Sequence, residues 1–284
     1  MAVRIITDSS SDLPFSKQET WGIDILPLRV IFGEEEYVDG RDLTAEQFYA
    51  KLSQAKELPK TAQVTPAEFE DVMRPYIETG DEIVVLPISR ELSGTCASAM
   101  IAREQFPDAE IYVVDTLAVT FGLALLVEIA VRLRDQGLSA REIADKITQL
   151  KNRIRLYAVI DDLKYLRMGG RLSTAGAVVG SLLGIKPIVS IEEGKVCSVD
   201  KVRGLKAGYQ SILERVRKDG VDPAYPAYLG HSNVPIAMQD LRAVIESQMK
   251  LDIAGSCDIG PIVGTHAGPG CTGIAFIAAD TPSK

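Results

Sequence analysis

The sequence predicts an α/β protein of two domains: an N-terminal parallel-sheet, Rossmann-like domain over residues 1–154 and a C-terminal mixed-sheet α/β domain over residues 155–284. Three observations carry that reading. The first half alternates short apolar runs with capped, helix-like stretches, the rhythm of βαβ units. The second half gathers glycines and a hairpin signal, which suits a mixed or antiparallel sheet. The chain has 284 residues, 46% hydrophobic and 25% charged, which fits two ordinary globular domains and not a disordered polymer.

Each element follows in order. Val3–Thr7 is a short apolar run that ends in Asp8-Ser9-Ser10-Ser11-Asp12, and Ile25–Phe32 reads as a second strand. Thr44-Ala45-Glu46-Gln47 matches a capping box that opens a helix to about Ser53. Thr65-Pro66-Ala67-Glu68 opens another, with a hydroxyl cap and proline at the first helical position. Ile83–Ile88 is a buried strand, Ser93-Gly94-Thr95 opens a helix to about Gln105, and Ile111–Val114 is a further strand. Two helices follow, the second capped by Ser139. Past a boundary near Arg153–Arg155, Leu156–Ile160 is a strand, followed by glycines at 169, 170, 176, 180 and 184. Lys186–Ile191 and Lys195–Lys201 flank Glu193-Gly194 as a hairpin. Helices are expected near Gly204–Lys218 and Pro235–Met249, and strands at Ala227–Gly230 and Gly273–Ala278.

Composition narrows the function classes. A net charge of −8 and a pI near 5.0 argue against nucleic acid as a partner. The start, Met1-Ala2-Val3-Arg4-Ile5-Ile6, lacks a signal-peptide pattern. The greasiest stretch, Leu117–Val131, contains Glu128 and falls short of the roughly 20 apolar residues a spanning helix needs. The four cysteines are scattered and the histidines number two, so neither a disulfide framework nor a zinc site is expected. These features predict a cytoplasmic protein without metal or cofactor.

Polar clusters stand directly after the first-half strands: Asp8–Ser11, Ser89–Thr95 and Asp115-Thr116. In an open parallel sheet such loops share one crevice, where ligands commonly bind. Ser93-Gly94-Thr95 admits two readings, an anion site at a helix start or a plain N-cap. Thr61, in the turn Thr61–Pro66, reads locally as a structural cap. His266 lies among glycines in Gly264-Thr265-His266-Ala267-Gly268-Pro269-Gly270, where backbone can approach a ligand closely. A satisfied loop histidine explains it equally well, and His231 is read as structural. Gly268–Gly273 formally matches G-x-G-x-x-G but precedes a strand, so the dinucleotide reading is rejected. Neither a P-loop nor a G-x-S-x-G elbow occurs. Most second-half basic residues read as a solvated face. Arg171 and Arg203 differ because each adjoins glycine, which suits a phosphate or carboxylate partner.

Taken in order, these pieces resemble the DegV family, the fatty-acid-binding subunits of bacterial fatty-acid kinase. The match runs through Thr7–Pro14, Tyr37–Gly40, Thr61 with Gln63, Ile88-Ser89, Leu92–Thr95, Val114–Thr116, Gly169–Ser173, Gly184–Ile188, Val202-Arg203 and Val263–Gly270. The resemblance implies a lipid tunnel between two α/β domains. It implies that Thr61, Ser93 and His266 hold a fatty-acid carboxylate, with Gly94, Thr95 and Thr265 in support. It further implies that Arg171 and Arg203 serve a partner kinase; from their glycine neighbours both are expected to lie outside that cluster. That kinase supplies ATP and metal, so the chain itself needs only the bound fatty acid. The product is an acyl phosphate bound for phospholipid synthesis, which also implies transient contact with a membrane surface. The sequence departs from the family at Ala62 and Val64, at Thr116, and at Gly122-Leu123-Ala124, where a second glycine is usual. These changes bear on acyl-chain preference and leave the anion site intact. Two alternatives remain at this point: an acyl hydrolase using Ser93 and His266 as a dyad, and a lipid sensor without a kinase.

Overall fold

The structure of this protein, a computed structural model, describes residues 2–173 and 184–280; Gly176 and Gly180 lie outside them. Strand β1 (Val3–Asp8) is buried over its last four residues because it pairs on both edges. It runs into a tight turn at Ser9–Ser11, where the Asp8 carboxylate accepts the Ser10 N–H at 3.0 Å. Helix α1 (Lys17–Trp21) stops at Gly22, whose φ of 59° needs no side chain. The single strand expected over 25–32 is in fact two, β2 (Ile23–Leu26) and β3 (Arg29–Phe32), in different sheets. Pro27 has no N–H to continue the ladder, and Leu28 gives its N–H to Ser9 Oγ at 3.0 Å.

Strand β4 (Glu35–Val38) returns beside β3, followed by helix α2 (Ala45–Gln54) and strand β5 (Lys60–Ala62). Together β4-β3-β5 form a small antiparallel sheet that sequence reading missed, and β5 runs through Thr61, which was expected in a turn. Helix α3 (Pro66–Glu78) and α2 both begin at complete capping boxes, as expected. Strand β6 (Glu82–Leu86), helix α4 (Thr95–Glu104) and strand β7 (Ile111–Val113) complete a parallel sheet in the order β2-β1-β6-β7. Alternation splits its side chains: Ile6, Ile83 and Val85 join the core under α3 and α4, while Ile5, Val84 and Leu86 join the opposite core.

Helix α5 (Thr120–Asp135) is buried at every residue from Thr120 to Val131. It packs on β1 and β6 of the parallel sheet and also on strands of the second sheet, so it forms the layer between them. That position explains its unbroken apolar run. Helix α6 (Ala140–Leu150) follows from the Ser139 capping box.

The second sheet is built from β8 (Ile154–Val159), β9 (Ile185–Glu192), β10 (Lys195–Arg203), β11 (Ala227–His231), β12 (Ile253–Asp258) and β13 (Thr272–Ile277). Interspersed are helices α7 (Lys164–Met168), α8 (Leu205–Asp219), α9 (Pro235–Gln248) and α10 (Pro261–Ala267). The strand order is β10-β9-β8-β13-β11-β12, antiparallel except for β11 with β12, which matches the expected mixed sheet. The β9–β10 hairpin turns at Glu193 and Gly194, with φ of 49° and 80°, the positive pair a tight hairpin demands. Helices α8 and α9 cover the outer face over Val159, Leu229 and Phe276. Helix α10 is a correction: its glycines suggested a loop. Pro261 starts it, and it packs against α2, β3 and β5, carrying a C-terminal segment onto the N-terminal half.

Candidate functional site

Between the two sheets lies a cavity of about 140 Å³, walled mainly by apolar side chains from both halves, among them Leu28, Ile88, Phe121, Leu156, Val189 and Val196. One face of α10 and the residues before it line it at helical spacing: Ile259, Ile262, Val263, His266 and Ala267. Most of the polar lining comes from Thr61, Gln63, Ser93, Arg171 and His266. A smaller void of about 10 Å³ adjoins it, sharing Val119, Leu156 and Ile191 and reaching Gly122.

The Ser93 loop is fixed by the end of the parallel sheet. Asp8 accepts the Ile88 N–H at 2.8 Å, and Ser89 O receives the N–H groups of Leu92 and Ser93. The cap residue of α4 is Gly94, so Ser93 is not the plain N-cap. Its hydroxyl accepts the Thr95 N–H at 3.3 Å and shares a 3.0 Å hydrogen bond with Thr95 Oγ1. Buried Thr95 thereby orients Ser93. Gly94 leaves room for Gln63: a Cβ there would fall 1.9 Å from Gln63 Oε1, so the Gln63 amide would have to move. Gln63 in turn donates to Ser98 Oγ at 2.8 Å, tying β5 to α4. The sequence marked Gln63 only as a family position; its place in the cavity wall had no local signal.

His266 stands in the last turn of α10, with Nε2 3.0 Å from Thr61 Oγ1. Nδ1 is buried and has no partner among the described residues. The ring fits because residue 169 is glycine, where a Cβ would lie 2.3 Å from Nδ1. Burial first, and the nearby Arg171 charge second, push the imidazole down to about 4. It is therefore neutral near pH 7 and contributes hydrogen bonds, not charge.

Arg171 supplies the charge, which corrects its expected place outside the cluster. After Gly170, with φ of 69°, the Arg171 and Leu172 N–H groups fold back onto Leu166 O, turning the side chain toward Leu92. Nε donates to Leu92 O at 3.2 Å and a terminal nitrogen to Gly169 O at 2.7 Å, so the guanidinium lines the same cavity as Ser93 and His266. Arg203 is exposed at the end of β10, opposite Ile185, and does not line the cavity. Thr265 spends its hydroxyl on Pro261 O at 2.8 Å within its own helix and does not line the cavity either. His231 pairs with Asp258 at 2.8 Å, away from the cavity.

The arrangement can hold an anion: two hydroxyls, a neutral imidazole, a guanidinium and the start of α4. It is less suited to acyl hydrolysis. His266 is engaged with Thr61 and Ser93 with Thr95, and no Ser93–His266 hydrogen bond joins nucleophile to base among the described residues. Among the described residues no group of three or more His, Cys, Asp or Glu side chains could hold a metal. Nor is any described helix long and apolar enough to cross a membrane.

The family model described as "Uncharacterised protein, DegV family" matches residues 2–279. A DegV domain-containing protein of Caldanaerobacter subterraneus is 34% identical over 275 residues, covering 96% of this chain and 98% of that one. A solved DegV family protein from Thermus thermophilus, described by its fatty acid binding, superposes with a TM-score of 0.90 at 30% identity, covering 98% of this chain and all of that one. A stearic acid-binding protein from Eubacterium ventriosum superposes with a TM-score of 0.85 at 27% identity, covering 98% of each chain.

Proposed function

We propose, for a chain that belongs to the DegV family, that it binds a long-chain fatty acid and presents the carboxylate to a separate kinase subunit. The observation that carries this reading is the single cavity in which apolar walls meet Thr61, Ser93, His266 and Arg171. The tail lies between the domains, 1–154 and 155–284, and the head meets the polar group. Burying about 14 methylenes at roughly 0.8 kcal/mol each gives on the order of 11 kcal/mol gross, against an association cost of several kcal/mol. A carboxylate without donors would cancel much of that gain, and the polar group answers the need.

The cavity's 140 Å³ is close to that of an engineered cavity of about 150 Å³ that takes up one benzene. A long chain therefore enters by parting the walls, and rotation of Val119, Leu156 and Ile191 would join the cavity to the void at Gly122. In the kinase step, a carboxylate oxygen attacks the γ-phosphorus of ATP on the partner, forming the acyl phosphate and releasing ADP. Arg203 serves the encounter, the work takes place in the cytoplasm, and product delivery brings transient contact with a membrane surface. The test is twofold. Delipidated protein is titrated with a C14–C20 acid, roughly the size range the burial argument requires, and ADP release is then followed with the cognate kinase. Saturable binding with acid-dependent ADP release supports the whole reading. Binding without it leaves a lipid-binding protein only, and no binding removes both.

A further inference from the structure

Gln63 lines the same cavity as Thr61, Ser93, His266 and Arg171. It stands two residues after Thr61 on the chain leaving β5, and strand alternation turns the two side chains to one side. Its carboxamide lies flat against Gly94, the neighbour of Ser93. A Cβ built on Gly94 would meet Oε1 at 1.9 Å, Cδ at 2.7 Å and Nε2 at 2.9 Å. The amide therefore stands between the Thr61 strand and the Ser93 loop, the two elements whose hydroxyls are assigned to the fatty-acid head.

A glutamine amide carries two N–H donors and a carbonyl acceptor. One N–H donates to Ser98 Oγ at 2.8 Å, and among the described residues the other donates to none. Ser98 is 1% exposed, so it anchors the amide from the protein side, while Gln63 itself is exposed. An exposed side chain that also lines a cavity stands where the cavity opens. The Ser98 hydroxyl can donate as well as accept, so it holds either end of the amide, and in both orientations an N–H remains for a ligand. A carboxylate presents about four lone-pair sites, more than the Thr61 and Ser93 hydroxyls and one imidazole N–H fill. We propose that Gln63 is a further specificity-determining residue of the head-group site: its carboxamide donates an N–H to the fatty-acid carboxylate and favours an acid over a neutral head. This inference rests on the fatty-acid reading of the cavity.

The experiment titrates the delipidated full chain with hexadecanoic acid and with hexadecanol, which share a tail and differ at the head. On Gln63→Leu, which removes the donor, the acid should bind about fivefold weaker. On Gln63→Glu at about pH 8, where the introduced carboxylate only accepts, the acid should bind at least about twentyfold weaker. Hexadecanol should stay within about twofold of its wild-type affinity on both, since its hydroxyl is served by Ser93 and Thr61 and can itself donate to a carboxylate. Equal loss of acid and alcohol would make Gln63 a structural tie to Ser98 and overturn the inference, as would acid affinity on Gln63→Leu within about twofold of wild type. The wild-type chain supplies a check that needs no variant. Its Gln63 side-chain N–H resonances should shift in nitrogen-edited spectra when the acid is added and not when hexadecanol is. Resonances that ignore the acid, or answer both ligands alike, overturn the inference even if neither variant folds. Acid that fails to bind the wild type overturns the carrier reading and this inference together. Acid that binds the wild type and Gln63→Leu alike overturns this inference alone.

Discussion

Gly169→Ala separates head-group geometry from fold. Gly169 has φ of −76°, which alanine adopts freely, so backbone strain is not at issue. The added Cβ would stand 2.3 Å from His266 Nδ1 and 3.1 Å from Tyr165 O. Ordinary contact begins near 3.5 Å, so the ring must retreat by about 1 Å. A shift of that size breaks or compresses the 3.0 Å contact between His266 Nε2 and Thr61 Oγ1. Loss of one buried hydrogen bond costs about 1–3 kcal/mol, a five- to 150-fold loss of fatty-acid affinity. Stability should move little, since alanine in place of glycine at a compatible position offers about 0.4–1 kcal/mol in return. The assay is displacement of a fluorescent fatty acid from delipidated protein, with a urea midpoint on the same preparation. Affinity within twofold of wild type, with the fold intact, would refute the assignment of His266 and Thr61 to the head group.

Three further outcomes follow from the same geometry. Arg171→Ala should weaken fatty-acid binding as well as the kinase-dependent rate, because Arg171 lines the cavity, while Arg203→Ala should lower only the rate; equal effects in paired assays would contradict that division. Gly122→Ala places a Cβ 3.4 Å from Leu156 Cδ1 and narrows the void beyond the main cavity, so affinity for the longest acids should fall more than for short ones across a chain-length series; a uniform change would sever the void from the acyl path. Finally, His266 ionises at about 4 when folded against 6.5 ordinarily, so between those values the unfolded chain binds the extra proton and stability is lost as pH falls from 6.5 toward 4. The loss approaches about 3 kcal/mol, and urea unfolding of wild type and His266→Gln should show the wild type alone carrying it. Burial of Asp39, which moves up to about 6, acts in the opposite sense over part of that window, but equally in both chains.

The N-terminal half was legible because its signals are local. The Thr44, Thr65 and Ser139 caps each fix a helix start within a few residues. The Glu193-Gly194 turn fixed the hairpin for the same reason. Pro27 is also a local signal, yet an unbroken apolar run hid the switch of sheets at that point. Helix α10 was hidden by the glycines in and around it: position 264 is glycine because a Cβ there would crowd Phe48 and Tyr49, contacts more than 200 positions away that no window contains. The placement of Arg171 beside His266 depends on the fold-back at Gly170 and a bond to Leu92, again distant in sequence. Thr120 carried no sign at all, since its left-handed backbone is a property of packing and not of pattern.

The measurement that bears most directly on the account is calorimetric titration of the delipidated chain with hexadecanoic acid and with its methyl ester. The two share a tail and differ only at the head, so the comparison isolates the polar cluster from the apolar cavity. The account predicts one acid bound per chain and at least a tenfold weaker ester, because the ester offers no charge to Arg171 and a poorer acceptor to Ser93 and Thr61. Equal affinity for acid and ester, or no saturable binding of either, would contradict it.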